Sequence, residues 1–267
     1  MKRFFSIILA IILACAGTFD TVLANEAAAS DELPEGTKSV TVSYDRAAAV
    51  AYAMKFAKVD HNGIFKSMGL DCTNFVSQCM WSGYGGTKGY SLNNTAALKA
   101  RVAANYRQTS TWYGRRADSP YQYGSGAFIR VVDFWDYVTT NTGYGPRATG
   151  YNNNKVWSQL TVAPRTGDIL QVYISDQGRY AHSAIITDIF PNFSFGNPDT
   201  WLDNIFLSQH SPGMDRRVLR SIVETYGGES GERNHRYRRR RERHDGCAGC
   251  SWRRRAGGAS GKDGALW

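Results

Sequence analysis

The chain has 267 residues with 27 glycines and only seven prolines, and 42% of its residues are hydrophobic. This composition suits one loop-rich folded body and argues against a helical bundle. The formal net charge is +9 at pH 7, but the segment from Gly228 onward holds ten arginines, one lysine and five acidic residues, which give +6. The rest of the chain is therefore close to neutral, and basicity is not a property of the folded body.

The N-terminus has the pattern of an export signal. Lys2 and Arg3 are positively charged, and residues 4–14 are almost all apolar. Val22 and Ala24 then provide small side chains at the positions before a cleavage site at Asn25. Eleven apolar residues are too few to cross a bilayer, which needs about 20. We therefore predict a signal peptide over residues 1–24, a secreted or cell-envelope protein, and no transmembrane anchor after cleavage. Lipidation at Cys15 is the alternative, on a poor match to a lipoprotein cleavage box.

Three helices are predicted in the first half of the chain. Residues 25–43 are rich in Ala, Glu, Asp and Ser and are predicted to be a flexible lead-in. Apolar residues at helical spacing predict a helix over 45–58, capped by Asp45, and another over 72–82, stopped by Gly83.

The third predicted helix follows a long region rich in turn-forming residues. Residues 84–126 are rich in Tyr, Gly, Ser and Asn and are predicted to form surface loops around one or two short elements. Spaced apolar residues from Phe128 to Val138 then predict the helix, which Asn141 and Gly143 would end.

The periodicity becomes that of strands in the second half. The runs "DILQVYI" (168–174), "HSAIITDIF" (182–190) and "NIFLSQH" (204–210) are rich in β-branched or aromatic residues and are bounded by turn residues. Helices followed by an antiparallel sheet predict an α+β domain.

Residues 227–267 form an Arg- and Gly-rich tail that we predict to be disordered. Its abrupt change of composition raises the hypothesis of an artefact such as a frameshift, which the intact mass of the exported protein would test. "RYRRRRER" could bind nucleic acid through charge, with a steep salt dependence, but no specific nucleic-acid partner is expected. "HDGCAGC" is a single metal-like half-site, so no metal is predicted.

Cys72 is the candidate nucleophile because it lies at the start of a predicted helix. A helix N-terminus and a nearby imidazole both favour the thiolate, so we expect the pKa of this thiol to be lowered. His182 begins one predicted strand and His210 ends the next, so antiparallel pairing would bring them to the same edge of the sheet. Cys79 would lie about 10 Å further along the helix, too far for a disulfide with Cys72.

These motifs resemble a known family. "DCTNFV", "TGDILQV" and "HSAIITDIF" are similar to the signature segments of the NlpC group of papain-like cell-wall peptidases. A fuller resemblance, over about residues 44–215, is to the putative amidase domain of secreted bacterial proteins. It implies a papain-like fold in which N-terminal helices pack on a C-terminal antiparallel sheet. The segments 84–126 and 141–166 would be loop insertions over the cleft, and residues 44–226 would be the catalytic domain.

The resemblance also implies roles for individual residues. Cys72 would be the nucleophile, with its own backbone N–H in the oxyanion hole, and His182 the general base and acid. His210 would be the third polar residue, with Gln209 as the competing assignment and Asn204 also able to fill the role. Apart from the resemblance, the position of Asp71 predicts that its carboxylate caps and supports the helix, although its negative charge should oppose formation of the thiolate.

The expected function is that of a secreted cysteine amidase without a cofactor. Its substrate would be peptidoglycan or a peptide amide, cleaved through a thioester acyl-enzyme. The alternative is an inactive module of the same fold that binds cell-wall polymer.

Overall fold

The structure is a computed structural model, and it describes residues 9–14, 43–153, 163–174, 177–194, 197 and 199–226. Residues 25–42 of the predicted lead-in (25–43), the tail from residue 227 and all of the predicted signal except residues 9–14 lie outside these ranges. No helix within the described ranges has the length and apolar character needed to cross a bilayer.

Two of the predicted helices form at the predicted positions. Helix α1 is Arg46–Phe56, and Asp45 caps it by accepting a hydrogen bond from the Ala48 N–H at 2.9 Å. Helix α2 is Cys72–Trp81 and is buried over its whole length. The helix does not end at Gly83 as predicted, because α2 is followed directly by one π-helical turn, Ser82–Gly86. A Cβ at Gly83 would lie 2.3 Å from the Tyr44 ring, so close packing against Tyr44 requires glycine there.

The remaining helices show where the sequence pattern was incomplete. The region 84–126, predicted as loops around one or two short elements, contains α3, Thr95–Ala103, which Asn94 caps by accepting from the Ala97 N–H at 3.1 Å. The third predicted helix is divided into α4, Gly126–Ile129, and α5, Val131–Thr140, because Arg130 between them is extended. Two further helices, which the strand patterns did not indicate, flank the last strands: α6 (Asp199–Asn204) and α7 (Leu219–Tyr226).

The described strands form one antiparallel sheet in the order β2-β1-β3-β4-β5-β6. In chain order the strands are Leu9–Ala14, Ala148–Asn153, Ile169–Ile174, Arg179–Ile189, Ile205–Gln209 and Met214–Val218. The three predicted strands are confirmed as β3, β4 and β5, and so is the α+β class. Strand β1 comes from the apolar run assigned to the export signal, so removal of residues 1–24 would leave β3 to β6 as a four-stranded sheet.

Alternation along β3 and β4 divides the core into two layers. One layer holds Ile169 and Ile185 against α1 and α2, and the other holds Leu170 and Ile186 against α6 and α7. The sheet is therefore covered on both faces, whereas the sequence predicted only N-terminal helices packed on it.

Polar contacts fix α1 to the turn before β3. Arg46 donates to the Asp168 Oδ1 at 2.6 Å, and the Tyr44 hydroxyl donates to the Gly167 carbonyl at 2.9 Å. Burial raises the pKa of Asp168 although the Arg46 charge opposes that shift. Gly167 has a φ of +85°, which favours glycine, so this turn is specified by residue type.

Candidate active site

Cys72 is the first residue of α2, and its side chain is 8% exposed. The Phe75 N–H donates to the Asp71 carbonyl at 2.9 Å and forms the first bond of the helical ladder. The amide of Cys72 therefore has no intrahelical acceptor, because the first N–H groups of a helix precede that ladder. This leaves an N–H donor beside the thiol.

Strand β4 docks against this end of α2 through adjacent residues. Thr73 Oγ1 lies 3.1 Å from Ser183 Oγ, and the backbone N–H of Ser183 hydrogen-bonds the Cys72 sulfur. His182 is the residue immediately before Ser183. The predicted base is therefore one residue along β4 from the residue that hydrogen-bonds the predicted nucleophile.

The pKa of the Cys72 thiol is shifted in the direction opposite to the one the helix terminus alone predicts. Burial raises it, and hydrogen bonds from Ser183 and Thr73 lower it by less. The negative charge of Asp71 adds a smaller rise. The resting side chain is consequently a neutral thiol at neutral pH, because desolvation penalises the thiolate more than these donors stabilise it.

His182 lies in β4 with 3% of its surface exposed. Within the described ranges its Nε2 has no hydrogen-bond partner. The pKa of His182 is lowered to about 4: burial is the largest cause, a hydrogen bond with the Gln209 side chain opposes it, and the Arg217 charge adds a smaller lowering. The imidazole is therefore neutral near pH 7 and retains a buried nitrogen able to accept a proton.

His210 has a different environment on the α2 side of the sheet. Its Nδ1 lies 2.6 Å from Asp71 Oδ2, and its Nε2 lies 3.0 Å from the Phe56 carbonyl oxygen. Its ring stacks on Phe75 with centroids 4.1 Å apart. Both ring nitrogens therefore face oxygen atoms, one of a carboxylate and one of a backbone carbonyl.

Asp71 does not cap α2 as predicted, since its side chain makes no capping hydrogen bond. Its carboxylate instead accepts from the Met68 N–H at 2.9 Å and from Asn74 Nδ2 at 2.8 Å, in addition to the contact with His210. Asp71 Oδ1 is thus held by the Met68 and Asn74 donors, and Oδ2 lies against His210, so the carboxylate joins the residues around the start of α2 to the end of β5.

Comparison with known protein families matches residues 43–247 to the putative amidase domain. The chain belongs to this amidase family. Membership indicates hydrolysis of amide bonds. The searches of curated proteins and of solved structures each return no match.

The three candidates for the third polar residue of the amidase domain occupy different places. Gln209 hydrogen-bonds His182, and its Oε1 also accepts from Arg217 Nη1 at 3.4 Å. Asn204 is the last residue of α6, and its Nδ2 donates to the Thr200 carbonyl of the same helix at 2.9 Å. The described contacts of His210 are those with Asp71, Phe56 and Phe75. Gln209 is thus the candidate that the described contacts bring to His182.

Two site residues were not predicted from the sequence: Arg217 in β6 and Tyr226 at the end of α7. Arg217 influences the pKa of His182, and the Tyr226 ring packs on the His182 ring with centroids 5.1 Å apart. No motif marks either residue, because both reach the site through the sheet order. Among the described residues, no three His, Cys, Asp or Glu side chains cluster as metal ligands.

Proposed function

We propose that this member of the amidase family is a secreted cysteine amidase that uses Cys72 as nucleophile and His182 as general base and acid. The observation that carries the proposal is the buried neutral His182, whose Nε2 has no partner in the part of the chain that the structure describes, next in β4 to the residue that hydrogen-bonds the Cys72 sulfur. A nucleophile, a base and a group that orients the base form the arrangement that acyl transfer requires.

The resting pair of this proposed mechanism is a neutral thiol and a neutral imidazole. His182 takes the thiol proton as the Cys72 sulfur attacks the amide carbonyl carbon, so proton transfer accompanies formation of the S–C bond. The carbonyl electron pair moves onto oxygen, where the Cys72 N–H donates to it. The imidazolium of His182 then gives its proton to the amide nitrogen, the C–N bond breaks, and an amine leaves.

Hydrolysis of the thioester follows the same steps with water as nucleophile. His182 takes a proton from water as the water oxygen attacks the thioester carbonyl carbon. The C–S bond breaks, and the Cys72 sulfur regains a proton from His182. The carboxylic acid is released and the neutral pair is restored.

In this proposal Gln209 is the third residue, because its side chain hydrogen-bonds the His182 ring. His210 and Asp71 serve as positioning residues: their 2.6 Å contact joins the chain beyond β5 to the residue that precedes Cys72. Loss of that contact would displace the nucleophile without removing a reacting group.

The proposed substrate is an amide bond of peptidoglycan. The export signal predicted over residues 1–24 and the resemblance to secreted cell-wall enzymes support this substrate class. An inactive module that binds wall polymer is the second candidate, and the same experiment distinguishes the two.

The test is to incubate purified peptidoglycan with the wild-type protein and with Cys72→Ser, and to measure newly freed amino groups. We expect amine release by the wild type and a loss of at least about 10³-fold in Cys72→Ser. Cys79→Ala is the matched control, because Cys79 is the other buried cysteine of α2 and its side chain packs in the apolar core. If the wild type binds peptidoglycan but releases no amine, the proposed amidase activity is overturned and the inactive wall-binding module is favoured.

A further inference from the structure

One guanidinium links the base of the site to the last helix. Arg217 donates to the Ser221 Oγ at 3.2 Å and to the Ser221 carbonyl at 2.9 Å, and it also contacts the Thr225 hydroxyl. Its Nη1 reaches Gln209 Oε1 at 3.4 Å. Arg217 therefore holds α7 in a fixed position relative to the residue that hydrogen-bonds His182.

Tyr226 is the residue that this arrangement presents to the site. Its ring packs on the His182 ring at 5.1 Å with an interplanar angle of 32°, and its hydroxyl hydrogen-bonds Arg217. The Cys72 sulfur is near enough for its negative charge to raise the pKa of the phenol. Tyr226 thus contacts the proposed base through its ring and a fixed cation through its hydroxyl, and it lies within electrostatic range of the nucleophile.

The electrostatic environment keeps this hydroxyl a donor. Burial is the largest cause of the raised pKa of Tyr226, and the Arg217 charge opposes it. The group remains a neutral phenol at neutral pH, and the adjacent guanidinium polarises its O–H bond. A neutral donor beside a cation stabilises negative charge that develops during a reaction, and it needs no reorganisation to do so.

We propose that the Tyr226 hydroxyl is the side-chain donor to the oxyanion formed at Cys72, and that Arg217 is the positioning residue that holds it there. This inference rests on the proposed amidase function. As the Cys72 S–C bond forms, the electron pair of the carbonyl moves onto oxygen. The oxyanion then accepts from the Cys72 N–H and from the Tyr226 O–H, and Tyr226 transfers no proton.

The test variant is Tyr226→Phe, which keeps the ring on His182 and removes only the hydroxyl. Two rates are measured: amine release from peptidoglycan and alkylation of Cys72 by iodoacetamide at the same pH. Loss of one oxyanion donor lowers kcat by about 10²- to 10³-fold, so we expect amine release to fall by about 10²-fold. Alkylation forms no oxyanion, so we expect its rate to stay within about twofold of wild type.

Tyr137→Phe is the matched control. Tyr137 is also a half-buried tyrosine whose hydroxyl has a side-chain partner, Thr109 at 3.2 Å, and it belongs to α5. We expect Tyr137→Phe to keep wild-type amine release. Arg217→Lys should reduce amine release in the same direction as Tyr226→Phe and add little to it in the double variant, because both act on one hydroxyl.

The outcomes separate this inference from the function on which it rests. A wild type that releases no amine overturns the amidase function and the role of Tyr226 together. An active wild type and an equally active Tyr226→Phe overturn only the role of Tyr226. A parallel loss of amine release and alkylation in Tyr226→Phe also overturns it, because the hydroxyl would then act on the thiol.

Discussion

His182 and His210 lie near the same end of neighbouring strands, and 3% and 4% of their surfaces are exposed. One imidazole has a nitrogen with no partner in the described ranges, and burial lowers its pKa to about 4. The other has both nitrogens at oxygen acceptors, one of which is the Asp71 carboxylate. Burial alone therefore does not decide the role of a histidine. The partners of its two nitrogens decide whether it is suited to move a proton or to hold two elements together.

The largest expected effect separates the two histidines by activity. His182→Gln should lower amine release from peptidoglycan by about 10³-fold, because the base and the acid of the proposed mechanism are the same side chain. His210→Gln should reduce it far less at a temperature where the variant is folded. Equal losses in the two variants would contradict the division of roles.

The second expected effect separates them by stability. His210→Gln should lower the free energy of unfolding at pH 7 by about 3 kcal/mol, since it leaves the buried Asp71 carboxylate without its hydrogen bond to His210. Urea denaturation followed by circular dichroism measures this loss. The double variant Asp71→Asn/His210→Gln should lose less than the sum of the single variants, because both remove one interaction. Additive losses would show that the pair is not coupled.

The third expected effect concerns acid stability. The pKa of His182 is about 4 in the folded chain and near 6.5 in the unfolded chain, so the unfolded state binds one more proton between these values. Stability from this residue is complete above about pH 6.5 and lost as the pH falls toward about 4, by about 3 kcal/mol in total. Urea denaturation at several pH values should give a shallower acid loss for His182→Gln than for wild type. An unchanged slope would mean that the native state protonates His182 normally.

The smallest expected effect tests the third residue. Gln209→Ala should lower amine release by about 10²-fold, because a misoriented base costs about that much, while the rate of Cys72 alkylation changes little. Asn204→Ala should leave amine release within about twofold of wild type, since its amide bonds within α6. The reverse ranking of these two variants would assign the third role to Asn204.

Much of the framework could be predicted from local pattern. The spacing of apolar residues predicted α1 and α2, and β-branched runs predicted β3, β4 and β5. The edge shared by His182 and His210 followed from antiparallel pairing. Helix α7 was not predicted, although its amphipathic pattern is clear once the helix is known. It follows a short strand, β6, whose residues Met214–Val218 are mostly charged or exposed and carry little strand pattern.

The sequence by itself determined which residues have the chemistry for the proposed site, because a thiol at a helix start and histidines at strand ends are local properties of the chain. Only the tertiary structure decided their surroundings. It placed Asp71 with His210 rather than on the helix amides, Gln209 with His182, and Tyr226 against the His182 ring. The physical reason is that burial and hydrogen-bond partners set proton affinity, and both come from residues up to 154 positions away in the chain.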